Sequence, residues 1–483
     1  MKSYIVPLVL SAGLVSGCAT ASQRPGFREV SQTVEDRTGF QVQWNQGTSE
    51  DAQVADRLQA LLQQELTAET AVQIALLNNA ALQAAFEELG IAQADLVQAG
   101  LLKNPVFAGR VRFPDKSGES TNTEFSVSED FIDLFQRPLR KKLASAQWDE
   151  TKLQVSDRVF HLTTEVRSAY YTLQAAEHSH AMLQTITQAA EAAAELAERQ
   201  HAAGNINDLG LANEQVAFQQ VKLDLIRSEA DLLAARERLN RLMGIGTAPT
   251  WKISQELPQL PGEEPSAQDL ESRALTQRLD LAAARQEIHV REQALALACR
   301  GVIPAVNVGI DTERDTDRSR VTGPSFDVEL PVFDRKQAPI ARAKAELRQS
   351  QRRLSVLETQ IRSEVRSTRD QVQVARQAIE QYQKGLIPLR EQIVAESQKH
   401  YNYMLVGIFQ VLQAKREEVS AYREYIEAFR DYWTARTELE RAIGGRLVSE
   451  PAAQPTAASP EQPSIQEPAV PEVAPMHHHG GHS

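Results

Sequence analysis

Cysteine is nearly absent: Cys18 and Cys299 are the only two in 483 residues, too few for a disulfide framework. Positive charge is in deficit, with a formal net charge of -12, and no basic patch carries interleaved aromatics, which argues against a nucleic-acid binder. Beyond the N-terminus no segment approaches the roughly 18 consecutive apolar residues of a membrane-spanning helix. There is no nucleophile elbow, phosphate-cradling glycine loop or defensible carboxylate pair, so the chain does not read as an enzyme. Glycine and proline are missing from two long stretches, 139–203 and 340–384. Without a breaker, the first of these predicts a single helix of roughly 95 Å at 1.5 Å per residue. That is longer than an ordinary domain is wide, and it points to a coiled coil, a rod or a helix-walled assembly. Its apolar residues, among them Leu153, Val155, Val159, Leu162, Val166, Tyr170 and Leu173, recur at mixed spacings rather than in a strict heptad. Such a helix has neighbours on more than one side.

What is present begins with a sorting signal. Met1 and Lys2 precede an apolar run from Tyr4 to Leu14 and then Val15-Ser16-Gly17-Cys18, the layout of a secretory signal peptide over 1–17. The last residues match the bacterial lipobox, which makes Cys18 the lipidated first residue of the mature chain; Ala19 after it points to the outer membrane. Residues 18–66 are polar and contain Pro25, Gly26, Gly39 and Gly47, and read as an extended arm on the surface of something else. Thr67 opens a helical pattern as an N-cap, with Thr70 in place of the Glu of a full capping box. An Asn78-Asn79 interruption follows, and Asn104-Pro105 ends the pattern.

The chain then changes period. Over 105–131, Phe107, Val111 and Phe113, then Thr123, Phe125, Val127 and Phe131, alternate with charged and polar residues around the turn at 114–120, which predicts a hairpin with one apolar and one charged face. Strands of nine or ten residues match a tilted membrane strand, although a soluble two-layer sheet would show the same alternation. A long helix over 139–203 and a return helix over 208–243 complete a unit spanning 67–246. After a Pro- and Gly-rich linker, 247–266, the plan repeats over 267–445: a helix, a hairpin over 304–333, a long helix over 340–405 and a return helix over 409–443. Pro105 matches Pro304, Glu165-Val166-Arg167 matches Glu364-Val365-Arg366, Leu209 matches Leu412, and Leu239-x-Arg241-x-x-Gly244 matches Leu439-x-Arg441-x-x-Gly444. An internal duplication with a period near 200 residues accounts for both helices and hairpins falling in step. Gly385 and Pro388 interrupt the second long helix where the first is continuous, so a bend or local loss of helix is expected there. Residues 446–483 are rich in Pro, Ala, Glu and Ser and read as a disordered tail.

Two hairpins give each chain four strands, and open strand edges cannot face lipid. Closure then requires further copies; three would supply twelve strands and a wide tube of helices, whereas two would leave a narrow one. The lipobox, the paired helix–hairpin–helix units, Asn104-Pro105 and Ile303-Pro304 before the hairpins, Pro138 and Pro339 near the long helices, and the Leu-x-Arg-x-x-Gly endings resemble the TolC-like outer-membrane efflux protein family. The resemblance covers about 67–445. It implies a membrane α/β fold: a trimeric 12-stranded outer-membrane β-barrel, four strands per chain, continued by a long periplasmic α-helical barrel. It also implies a homotrimer in outer-membrane lipid, lipid-anchored and extending into the periplasm. A periplasmic adaptor (membrane fusion) protein and an inner-membrane RND-type transporter would be its partners.

By the same resemblance, Gly204-Asn205-Ile206 and Val406-Gly407-Ile408 are the tips that contact the adaptor. Asp208, Glu396, Lys399, Tyr401 and Tyr403 are candidates for a periplasmic gate, with a solvated face as the alternative for each. Asn402, Met404 and Leu405 occupy the place of the family's acidic ring, which implies a less polar constriction. No cofactor is expected. Met476, His477, His478, His479 and His482 form a terminal cluster of soft and borderline ligands suited to weak Cu or Zn binding, or simply a flexible tail. With it, metal ions (copper/silver or zinc/cobalt/cadmium) are the expected cargo. A multidrug or small-molecule duct is the alternative, with a protein-secretion duct or a non-conducting envelope tether behind it.

Overall fold

The computed structural model describes residues 26–115, 119–246, 251–262 and 267–447. A short segment, 258–262, groups apart from the main body and holds no helix or strand; everything below concerns the main body. Cys18, the signal segment and the terminal histidines lie outside the described residues.

The N-terminal segment is not an extended arm throughout. It forms α1 (Phe27–Thr38) and α2 (Ser49–Leu62) around an extended stretch. Phe27, Val30, Val34 and Thr38 recur at helical spacing and are buried, whereas Phe40, Val42 and Trp44 alternate with more exposed residues and are buried too. The two periods change over at Gly39, whose φ of 71° closes α1. The segment covers its own chain: the Phe27 ring meets Phe86 edge-on at 5.1 Å, and Trp44 donates to Glu87 at 2.8 Å.

The first unit runs α3 (Ala68–Asn78), α4 (Ala80–Ala99), β1 (Val106–Arg112), β2 (Asn122–Asp130), α5 (Phe131–Ala202) and α6 (Asp208–Met243). The second runs α7 (Ala267–Gln277), α8 (Leu279–Arg300), β3 (Val306–Arg314), β4 (Arg320–Val328), α9 (Gln337–Gln381), a π-helical turn (Tyr382–Leu386), α10 (Ile387–Asn402) and α11 (Ile408–Ile443). Thr67 and Thr70 do form a reciprocal box, because the Thr70 hydroxyl accepts from the Thr67 amide at 2.7 Å and so replaces the missing Glu. Asn79 ends α3 and caps α4, accepting from the Leu82 amide at 2.9 Å.

The long helix starts at Phe131, not after Pro138. Asp130 caps it through bonds from the Ile132 and Asp133 amides, and Pro138 removes only one hydrogen bond near its beginning. At 72 residues α5 is about 108 Å long. It packs on α6, α11, α8, α4, α3 and α1, which explains its mixed apolar spacing. Near its middle Val155, Val159, Val166 and Leu173 enter a core shared with Leu76, Phe86, Leu239, Met243 and Trp251. The linker adds an ordered piece: Leu66 and Ile253 bridge in parallel, and Trp251 donates to Asn240 at 3.1 Å.

The four strands form one antiparallel sheet in the order β1-β2-β3-β4. Here β1 has seven residues, and β4 starts at Arg320 and ends at Val328, before the Leu330 and Val332 that continue its alternation in sequence. Phe107 faces Val127, Val127 faces Ile310, and Val308 faces Phe326. Because alternate residues share a face, these make a single apolar surface, and it is exposed: Phe107 by 68%, Ile310 by 65%, Phe326 by 77%. The opposite face is charged and internally paired, with Arg110 and Arg112 on Glu124 at 3.3 and 3.0 Å, and Asn122 on Glu313 at 2.7 Å. Among the described residues β1 and β4 are unpaired edges.

Candidate functional site

The two helix–turn–helix tips are built alike. At the first, Asn205 N donates to Gln200 O at 2.8 Å and Gly204 takes φ 76°. At the second, Leu405 N donates to His400 O at 2.9 Å and Met404 takes φ 57°. Each is a helix closed by a left-handed residue with a six-to-one hydrogen bond. Gly204 pays nothing for that conformation; Met404 does, at about 1 kcal/mol. The equivalence fixes the offset between the tips at 200 residues, and α6 and α11 each have 36 residues and end at Gly244 and Gly444. Leu209 is therefore the counterpart of Phe409, not of Leu412, since leucines spaced three apart are interchangeable in an amphipathic pattern.

Gly204, Asn205 and Ile206 all lie in the first turn. Val406 and Gly407 lie in the second, while Ile408 is the first residue of α11. Asn207 caps α6 by accepting from Gly210 N at 2.9 Å, whereas Gly407 caps α11 without a side-chain bond. The first tip exposes Gly204 and Asn205, with Ile206 half-buried. The second exposes Tyr403, Met404 and Leu405, Met404 by 93%.

The five gate candidates are not brought together within the chain. Asp208 pairs with His201 at 2.7 Å, next to its own turn. Glu396 pairs with Lys399 at 2.7 Å one turn along α10, and the Lys399 ammonium holds the Glu396 carboxyl below its ordinary range. Tyr401 and Tyr403 point outward at the end of α10. Among the described residues no hydrogen bond or ion pair joins Asp208 to the other four.

The cross-helix contacts lie a few turns away. Arg416 on α11 pairs with Glu214 on α6 at 2.8 Å and ties the two helical hairpins together. Arg390 pairs with Glu417, and Tyr422 donates to Glu391 at 2.5 Å; that bond, with burial, pushes the Tyr422 hydroxyl up to about 12. Sequence reading missed all of these. Their partners are far apart in the chain, and only their positions on facing helices relate them.

Near the middle of the long helices sits a second polar set. Arg278 joins α7 to α8 and pairs with Asp280 at 2.7 Å and Glu364 at 2.6 Å, and its guanidinium also donates to Ala442 O at 3.3 Å. Arg441 reaches Glu364 as well, and Glu438 at 2.7 Å. Arg167 on α5 of the first unit pairs with Glu440 on α11 of the second at 2.6 Å. Among the described residues no group of three or more His, Cys, Asp or Glu is placed to hold a metal ion.

Comparison with known proteins agrees with this architecture. A family model described as outer membrane efflux protein matches residues 71–245 and 270–445. The cobalt-zinc-cadmium resistance protein CzcC of Cupriavidus metallidurans is 23% identical over 387 residues, 78% of this chain and 90% of that protein. The crystal structure of CusC superposes with a TM-score of 0.64 at 19% identity, covering 79% of this chain and 93% of CusC. The Campylobacter jejuni CmeC outer membrane channel superposes with a TM-score of 0.67 at 14% identity, covering 78% and 85%. The four-stranded sheet is thus one third of a 12-stranded trimeric barrel, and its unpaired edges meet those of neighbouring copies. The chain belongs to the outer membrane efflux protein family: it is a non-catalytic duct of the outer membrane, working as a homotrimer with a periplasmic adaptor and an inner-membrane RND-type transporter.

Proposed function

We propose that this duct passes small molecules of varied chemistry, drugs included, delivered by its transporter, and that it does not itself select among them. The observation that carries the reading is the polar face of the sheet. With the apolar face turned to lipid, Arg110, Arg112, Glu124, Asp311 and Glu313 line the passage. Both signs are present, and Arg110 and Arg112 are paired with Glu124 across the strands. Carboxylates outnumber guanidiniums on this face, Asp327 opposite Asn307 included, so the field is weakly negative and favours cations over anions; among the described residues no cluster on the wall is placed to hold one particular ion. Selection then rests with the partner that loads the duct.

The tips 204–206 and 406–408 serve as the adaptor contacts in this reading, and Cys18 carries the lipid. Asp208, Glu396, Lys399, Tyr401 and Tyr403 are the constriction, made between copies, since each lies at an exposed hairpin end. Metal export is the second reading. It is favoured by the similarity to a cobalt-zinc-cadmium resistance protein and by Met476 with His477, His478, His479 and His482.

The test is a deletion strain exposed to a drug and dye panel and, separately, to cobalt, zinc, cadmium, copper and silver salts, with the full chain and a chain ending at 447 restored in turn. Sensitisation to the organic compounds, reversed by either chain, supports the first reading. Sensitisation to metals alone, reversed only by the chain with its tail, overturns it in favour of the second.

A further inference from the structure

The two units differ by one residue, and its place can be found. Glu165-Val166-Arg167 and Glu364-Val365-Arg366 stand 199 apart, with Val166 and Val365 both buried. Gly204 and Met404, the left-handed residues that close the long helices, stand 200 apart. The second unit therefore holds one extra residue between Arg366 and Met404. Within that interval lies the π-helical turn Tyr382–Leu386, where Ile387 N–H donates to Tyr382 O, five residues back. A π turn takes up one additional residue while leaving the helix on both sides in phase.

Pro388 gives the turn its cause. It has no amide to donate to Lys384 O, and in an unbroken α-helix its ring would press on that carbonyl. The corresponding stretch of α5, Leu183 to Gln188, contains neither proline nor glycine and stays α-helical.

The surroundings differ as well. In the lower part of α5, Leu183, Ala190, Ala193, Ala194 and Ala197 are buried. In α10 only Ile387 is buried, and Leu389 and Ile393 are exposed. Instead α10 and the π turn hold to α11 through side-chain bonds: Tyr382 to Glu424 at 3.0 Å, Gln383 to Tyr425 at 2.7 Å, Tyr422 to Glu391 at 2.5 Å, and Arg390 to Glu417. Exposed polar contacts re-form at little cost after a displacement, whereas a close-packed apolar seam does not.

We propose that the turn Tyr382–Leu386 is a hinge on which α10 and its tip swing relative to α9, while α5 behaves as one rod. The tip 403–408 then moves as a unit, and the tip 204–206 stays with its long helix. The transport arm of the test below rests on the duct reading; the exchange arm does not.

In the full-length trimer in detergent, hydrogen–deuterium exchange should be at least about tenfold faster for the amides of 382–387 than for those of 183–188, because opening of a hinge exposes them locally. Equal protection overturns the proposal without any variant. The variant that removes the hinge deletes Gly385 and carries Pro388→Ala, restoring an α-helix with both ends in the register of α5. It should assemble as a trimer, lose the fast exchange and transport several-fold more slowly. A variant that assembles, exchanges slowly and transports at the wild-type rate overturns the proposal. Should it fail to assemble, the exchange comparison in the wild-type chain decides. A wild-type chain that restores no efflux to the deletion strain counts against the duct reading and leaves the exchange result to stand for the hinge.

Discussion

Glu364→Gln tests whether the ion network at the α7–α8 joint holds the structure, and the duplication supplies its own control. The Glu364 carboxylate accepts from Arg278 at 2.6 Å and from Arg441, and Arg278 is buried. Burial opposes ionisation of Glu364, but the hydrogen bonds and charges of the two arginines outweigh it and hold its carboxyl below the ordinary range. Removing one partner of a buried pair costs about 3 to 5 kcal/mol. Here Arg278 keeps Asp280 and Arg441 keeps Glu438, so the cost falls to about 1 to 3 kcal/mol. Glu165, the counterpart in the first unit, is exposed and makes no ion pair among the described residues; Asn79 stands where the second unit has Arg278. Glu165→Gln should change stability by no more than about 0.5 kcal/mol. The pH dependence has a definite sign. A carboxyl depressed in the folded state contributes stability above its unfolded pKa, near 4.3, and loses it as pH falls through the lower folded value. The difference between wild type and Glu364→Gln should thus be full at pH 7 and shrink below about pH 4. Thermal dissociation of the detergent-solubilised trimer, read for both variants at several pH values, is the assay. Equal midpoints for Glu364→Gln and Glu165→Gln at pH 7 would refute the reasoning.

Glycine at the helix ends should separate strain from contact. A Cβ on Gly244 would lie 2.5 Å from Asn78 O, and one on Gly444 2.9 Å from Arg278 N, both at positive φ; Gly244→Ala and Gly444→Ala should each cost more than about 2 kcal/mol by thermal midpoint. Gly204→Ala, with nothing within 4 Å, should cost only about 1 kcal/mol, and Met404→Gly should gain a similar amount. Asn79→Ala loses the cap of α4 and a 2.8 Å bond to Leu242 O and should cost about 1 to 2 kcal/mol in the same assay. On the sheet, Phe326→Arg places a charge on the apolar face and should cut recovery of folded trimer from membranes, at about 2 to 4 kcal/mol near mid-bilayer. Asp311→Asn on the opposite face should leave recovery unchanged; equal losses would mean that the faces have been assigned the wrong way round.

The sequence revealed the elements whose signal is local. Unbroken runs of helix formers announced α5 and α9, period-2 alternation announced the hairpins, and matching motifs announced the duplication. Its errors arose where a partner distant in sequence decides the outcome. Residues 27–44 looked like a polar arm because their apolar residues follow two periods in turn, 27-30-34 and then 40-42-44, and neither run is long enough to stand out. Pro138 looked like a helix start because the Asp130 cap eight residues earlier carries no pattern of its own. The breaker at Gly385 and Pro388 was legible, but the π turn that accommodates it depends on both flanks staying packed against α11, which no local pattern reports. At the tips the turns could be located from Gly204 and Gly407. The contact that ties the hairpins together, Arg416 to Glu214, could not, since charges of both signs line every exposed helix face.

The two units show how a duplicated joint keeps its geometry while its chemistry changes. At the break between α3 and α4, Asn79 donates its side-chain amide to Leu242 O at 2.8 Å. At the break between α7 and α8, Arg278 donates to Ala442 O at 3.3 Å, and Leu242 and Ala442 hold the same place just before the ends of α6 and α11. In both units a side chain at a helix break satisfies a carbonyl left over at the end of a return helix. A neutral amide does this and needs little else. A guanidinium in the same position brings a buried charge, and a buried charge requires counter-charges. Asp280, two residues on, and Glu364, on α9, supply them, and Glu364 is shared with Arg441, which also pairs with Glu438. Glu364 and Arg441 have counterparts in Glu165 and Arg241, so the one changed residue, Arg278, draws groups that both units hold into a network, and this predicts a reciprocal dependence. Arg278→Asn alone should be destabilising, because Glu364 and Asp280 lose their shared cation. Arg278→Asn combined with Glu364→Gln should recover part of that loss, since the joint then approaches the neutral form already present at Asn79. A double variant no more stable than Arg278→Asn alone would show that the carboxylates are held for another reason.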